Sequence, residues 1–243
     1  MIQEDLVMTE PTSQGDVKIY IPGSRDVIVK MSGGADSSIL MFLLAKYKNE
    51  YNTELNFKIT STVGSTKPYQ YEFANQVVKF IDKIYPLGDY EHYHNESLPS
   101  GEFPDGEDEN GFDANKEAYS DDIENLVKSL HNKDSVQYMG ITANPSAEQL
   151  ELHNIADGRD LERDSDVAVP NNELWMGPGF YKYNRPFAKY DKLVVAELYD
   201  RYNLTDTLFP LTRSCEEATF DFSKHCGTCW WCKERKWAFG KLA

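Results

Sequence analysis

Residues 32–38 read Ser-Gly-Gly-Ala-Asp-Ser-Ser and lie between two apolar runs, residues 27–29 and 39–45. The first run suits a buried strand and the second a helix, so the polar stretch falls at a strand-to-helix turn. A helix that starts there exposes unpaired backbone N–H groups and a partial positive charge, which attract phosphate. Gly33 and Gly34 let the backbone curl close to an anion, and the hydroxyls of Ser32, Ser37 and Ser38 can donate further hydrogen bonds. The stretch is not a Walker A loop, because the chain contains no G-x-x-x-x-G-K-S/T. Asp36 would repel a bare phosphate, so its place in such a cradle points to a bridging Mg²⁺.

A second group sits in the tail. Cys226, Cys229 and Cys232 form a C-x2-C-x2-C run, with Cys215 upstream of them. Four thiolates at such spacings suit tetrahedral Zn²⁺. A closed four-sulfur site leaves no open position, so its role would be structural, pinning the tail to the rest of the chain. The chain has four cysteines in all, and the zinc reading leaves none over. Disulfides, an iron–sulfur cluster and redox or sulfur-transfer cysteines remain as alternatives. His92 and His94, in the stretch EHYHNE, read as surface residues of a loop and not as a metal pair.

Both groups need elements to hold them. Strand-like runs occur at residues 17–21 and 27–29 and in LNFKITSTVG and SVQYMGI. The helix after the turn is apolar nearly all round, which predicts cover on more than one side. KPYQYEFANQVVKFIDKI places Tyr69, Phe73, Val77, Phe80, Ile81 and Ile84 on one helical stripe. SDDIENLVKSLHNK has Ser120 as its N-cap, and KYDKLVVAELYDRY has Val194, Leu198 and Tyr202 in register. Strands alternating with amphipathic helices predict an α/β fold: a layered, mainly parallel sheet flanked by helices. Residues 98–112 and 153–173 read as polar loops. The expected division is an α/β domain that carries the phosphate-type turn, over residues 1–185, with residues 186–243 adding a helix and the cysteine segment packed on it.

Composition narrows the function classes. Forty acidic against 25 basic residues give a net charge of -15, which argues against a nucleic-acid partner. The start of the chain lacks the basic and apolar regions of a signal peptide, and the longest apolar run, residues 39–45, is too short to span a bilayer. A cytoplasmic protein with no membrane partner is expected, and a homodimer is left open.

SGGADSS after a strand and before a helix resembles the S-G-G-x-D-S loop of the N-type ATP pyrophosphatases, the PP-loop superfamily. These enzymes split ATP between its α and β phosphates, transfer AMP to a substrate oxygen and let a nucleophile displace it. The resemblance implies an adenine-nucleotide-hydrolase-like, Rossmann-like fold. It also implies that Ser32, Gly33, Gly34, Ser37 and Ser38 cradle pyrophosphate while Asp36 helps to hold Mg²⁺. Joined to the four cysteines, the loop resembles that of the 7-cyano-7-deazaguanine synthases. Pro186-Phe187, Lys192, Cys215 and Gly140 match positions of that family.

That likeness implies a ligase that adenylates a small-molecule carboxylate, 7-carboxy-7-deazaguanine or a variant of it, for attack by ammonia. Lys192 would neutralise phosphate charge in the transition state, with Arg185 and Lys67 as weaker candidates. The family's central substrate motifs, an Arg-Asn pair and a D-x-S-G-Y-P-D-C-R run, are absent from this sequence. Asn144, Asp157 and Arg159 are polar residues near their expected place. A tRNA-modifying or sulfur-transfer enzyme with the same loop, and a nucleotide-binding protein without turnover, are the other readings.

Overall fold

The computed structural model describes residues 6–21, 26–51, 54–63, 69–96, 125–130, 135–155, 175–176, 182–215 and 224–243. Its centre is a six-stranded sheet in the order β5-β4-β3-β6-β8-β7. The strands are β3 (Asp26–Lys30), β4 (Asn56–Val63), β5 (Glu91–Glu96), β6 (Val136–Met139), β7 (Trp175–Met176) and β8 (Lys182–Asn184). All neighbours are parallel except β7, which runs antiparallel to β8 at the edge. The layered, mainly parallel α/β fold expected from the sequence is the fold observed.

The central strand explains its own composition. Val27, Ile28 and Val29 of β3 are fully buried, as a strand covered on both faces requires. Next in the chain comes α1 (Ala35–Glu50), buried continuously from Ser37 to Ala45. It packs against β6, α2 (Gln70–Ile84) and α4 (Lys192–Arg201), so the all-round apolar sequence reflects cover on several sides. The buried face of α2 runs through Ala74, Val77, Val78 and Ile81. Ile84, at the helix end, is 46% exposed, so the core stripe is rotated away from it toward Ala74 and Val78. The short α3 (Ala147–Leu152) opens with a capping box between Ser146 and Gln149. Residues 125–130 are helical, whereas the expected cap Ser120 lies outside the described residues.

Three elements depart from the expectations. The acidic start of the chain forms a strand, β1 (Leu6–Thr12), paired antiparallel with β2 (Gly15–Ile21) as a separate hairpin. Its alternate residues Val17, Ile19 and Ile21 enter the core. Buried Glu10 joins the hairpin to the helices, accepting hydrogen bonds from Tyr47, Tyr202 and Arg201. The stretch EHYHNE, read as a loop, is β5, and His92 on it hydrogen-bonds Ser61 Oγ at 2.8 Å. Polar residues suit this strand because it is an edge. The last helix, α5 (Trp230–Phe239), begins inside the cysteine run and ends on Gly240 in the left-handed region. Among the described residues no helix is long and apolar enough to cross a membrane.

Candidate functional site

The chain leaves β3 toward β4 and β5 on one side, then returns to lay β6 and β8 on the other. The order therefore reverses between β3 and β6, and a crevice opens beyond the C-terminal ends of those two strands, where ligands of open α/β sheets bind. A cavity of about 290 Å³ lies there, lined by Ser32, Gly34 and Asp36 after β3, and by Gly140, Ile141 and Thr142 after β6. Tyr69, Lys192, Arg213 and Trp231 also stand in its walls, with Gln70 and Ser214.

Residues 32–38 fold into a tight hydrogen-bonded turn. Ser32 Oγ accepts from Gly34 N–H at 3.3 Å and lies 3.2 Å from Ser37 Oγ, which in turn donates to Gly34 O. Ser38 Oγ donates to Gly34 O at 2.7 Å. Ser32 and Gly34 thus face the cavity, while Ser37 and Ser38 brace the turn from beneath. Gly34, the N-cap of α1, has no side chain to occupy the helix's first N–H groups.

Two glycines are required by geometry. Gly33 has φ +72°, and a Cβ there would lie 2.7 Å from Phe73 Cβ. At Gly140 a Cβ would lie 2.6 Å from the backbone carbon and oxygen of Asp36 and from Ser37 N. The end of β6 therefore passes directly against the start of α1.

Lys192, at the first position of α4, is no solvated lysine. It is 2% exposed and its Nζ is 3.1 Å from Asp36 Oδ2 and 3.1 Å from Glu234 Oε2. The other carboxylate oxygen of Asp36, Oδ1, is buried without a hydrogen-bond partner. Such an oxygen, on a residue that lines the cavity, fits a cation ligand. Mg²⁺ commonly takes one or two carboxylates and completes its shell with phosphate and water.

Arg213 is 3% exposed and its guanidinium lies over the Tyr69 ring, 4.9 Å from the centroid. Its backbone N–H donates to Gly33 O at 2.8 Å, which ties the segment before the cysteines to the turn. Arg185 does not line the cavity, Asn144 is half-buried beyond it, and Lys67, Asp157 and Arg159 lie outside the described residues.

The four cysteines converge. The sulfurs of Cys215, Cys226, Cys229 and Cys232 all lie within 4.8 Å of one another, so they could hold a metal ion. Cys226 Sγ accepts hydrogen bonds from the N–H groups of Thr228 and Cys229. This cluster adjoins the cavity through three links. Cys215 O accepts from the Tyr69 hydroxyl. α5, which starts after Cys229, carries Trp231 and Glu234. Arg235, fully buried, donates to Phe209 O, Thr212 O and Thr212 Oγ1, fastening α5 to the segment that holds Arg213. Burial pulls the Arg235 guanidinium down to about 10.

Sequence reasoning assigns no site role to Tyr69, Arg213 and Trp231, which line the cavity, or to Glu234, which pairs with Lys192 behind it. The stretch WWCKER gives no local signal: three charges, Lys233, Glu234 and Arg235, follow a metal-type cysteine as solvated charges also do, yet Glu234 and Arg235 are buried on α5. No family model matches the chain, and no curated protein matches its sequence. Among solved structures it is similar to the U34-tRNA thiolase NcsA from Methanococcus maripaludis, determined with its 4Fe-4S cluster. The identity is 16%, the match covers 88% of this chain and 70% of that one, and the TM-score is 0.47.

Proposed function

We propose that the chain is an ATP pyrophosphatase-type ligase: it binds Mg-ATP at the mouth of the parallel sheet, adenylates a small-molecule carboxylate and passes the acyl group to ammonia. One observation carries this reading. The turn at residues 32–38, Gly140 and Lys192, far apart in the sequence, close on one cavity at the topological switch point. Ser32 and Gly34 would face the departing pyrophosphate. Lys192 would take up the charge that builds on the phosphates as the α–β bond breaks. Mg²⁺ held through Asp36 would neutralise phosphate oxygens.

On the substrate side, Tyr69 and Trp231 offer aromatic walls and Arg213 a buried cation. These suit a planar heterocycle bearing a carboxylate, and 7-carboxy-7-deazaguanine is the compound we propose. The cysteine centre is proposed to hold zinc. Four sulfurs about 2.3 Å from one zinc stand about 3.8 Å apart. Cys226 Sγ and Cys232 Sγ are separated by 3.8 Å. In a cubane cluster each thiolate binds a different iron, which sets the sulfurs wider apart. With all four cysteines in this cluster no thiol is left to carry persulfide sulfur, which favours a nitrogen nucleophile over sulfur transfer.

The test is to incubate the protein with Mg-ATP, ammonium and 7-carboxy-7-deazaguanine and to identify the base by mass spectrometry. The amide or the nitrile supports the ligase reading. An unchanged acid, with sulfur transferred to tRNA when a sulfide donor is supplied, would replace it with the thiolation alternative.

A further inference from the structure

We propose that Glu234 is a positioning residue: it keeps Lys192 aimed into the cavity once Asp36 is engaged by the cation of Mg-ATP. The proposal rests on the nucleotide reading above and assigns a role to a residue outside the loop and the cysteine set.

The argument starts from charge. Lys192 is 2% exposed and Glu234 is fully buried. An ammonium taken out of water needs a compensating charge close by, and it has two, Asp36 and Glu234, each at 3.1 Å. Their situations differ. Asp36 sits in the first turn of α1, beside the phosphate cradle, and its buried Oδ1 is the oxygen open to a cation. A divalent ion drawn to that carboxylate competes with the ammonium for its charge. Glu234 is held elsewhere. It lies two residues beyond Cys232 on α5, and Arg235 beside it locks the helix to the backbone of Phe209 and Thr212.

When Asp36 turns to the cation, Glu234 is the carboxylate that remains. It retains Lys192 and lets its free N–H groups meet phosphate. The rival role is a plain ion pair joining α4 to α5. The two are separable because only the positioning role depends on Mg²⁺.

The experiment uses the full chain with its metal and the variants Glu234→Gln and Glu234→Asp. The probe is α,β-methylene-ATP, which cannot be cut at the α–β bond, titrated with and without Mg²⁺ by calorimetry. Metal content and thermal midpoint are measured on the same samples. We expect Glu234→Gln to keep its metal and to weaken binding about 10-fold with Mg²⁺, the scale of one charge-assisted hydrogen bond. Without Mg²⁺, where Lys192 keeps Asp36, the change should stay under about 2-fold on the same reasoning. Glu234→Asp, which keeps the charge, should recover most of the loss, and it serves alone if the glutamine variant does not fold. Equal losses with and without Mg²⁺, no loss at all, or a loss that tracks metal content and thermal midpoint would overturn the proposal. A wild-type chain that does not bind the analogue would sink the nucleotide reading itself, and this proposal with it.

Discussion

At the residue scale the site is a meeting of two carboxylates and one ammonium. Asp36, Glu234 and Lys192 come from three helices, and each is needed to keep the others buried. Replacing Lys192 by Met leaves two carboxylates without their cation, which should cost about 3–5 kcal/mol of stability. It should also lower AMP release from the folded protein by about 100-fold or more. A folded variant with wild-type turnover would remove Lys192 from the chemistry. Gly140→Ala tests the other wall. Its new Cβ would press on the Asp36 and Ser37 backbone at 2.6 Å, so a loss of about 1–3 kcal/mol is expected, with weakened analogue binding. An unchanged melting curve and affinity would mean that β6 does not pack against the turn this closely. The SGGADSS loop was legible because its chemistry is local. Glu234 was not, since nothing within KER distinguishes a buried partner of Lys192 from a solvated charge, and that pairing spans the chain from α4 to α5.

At the element scale, periodicity found the strands and helices that are covered on the expected faces and missed the edges. β5 was unreadable because an edge strand carries polar residues, and β1 because its inward positions include Glu10, satisfied by Tyr47, Tyr202 and Arg201. The edge has a measurable signature. Burial, and then the neighbouring His94, pull His92 from 6.5 down to about 4. As pH falls below about 6.5 the unfolded chain takes up a proton that the folded one refuses until about pH 4. Stability from this residue is therefore complete above that window and falls through it. His92→Gln, compared with wild type by denaturant unfolding between pH 7 and about 4, should flatten the decline; an identical slope would show that His92 is not held neutral. α5 carries the second element-level expectation. Removing the metal with a chelator should lower the thermal midpoint and loosen α5 and the 209–215 segment together, with recovery on adding zinc. Elemental analysis should find zinc, and iron in its place would contradict the zinc reading.

At the scale of the whole molecule, topology sets the location of the chemistry. The reversal of strand order between β3 and β6 opens the crevice, and the cysteine-bearing tail closes it by returning Arg213 and Trp231 to its walls and Glu234 to Lys192. The chain carries a net charge of -15, so anions approach it against the mean field and must be held by local donors and cations. The proposed reaction cleaves ATP between its α and β phosphates in this pocket. The most direct test is ³¹P NMR of the protein with Mg-ATP, ammonium and 7-carboxy-7-deazaguanine. AMP and pyrophosphate are expected in equal amounts, both lost in the Lys192→Met variant. ADP and phosphate from the wild-type chain would contradict it.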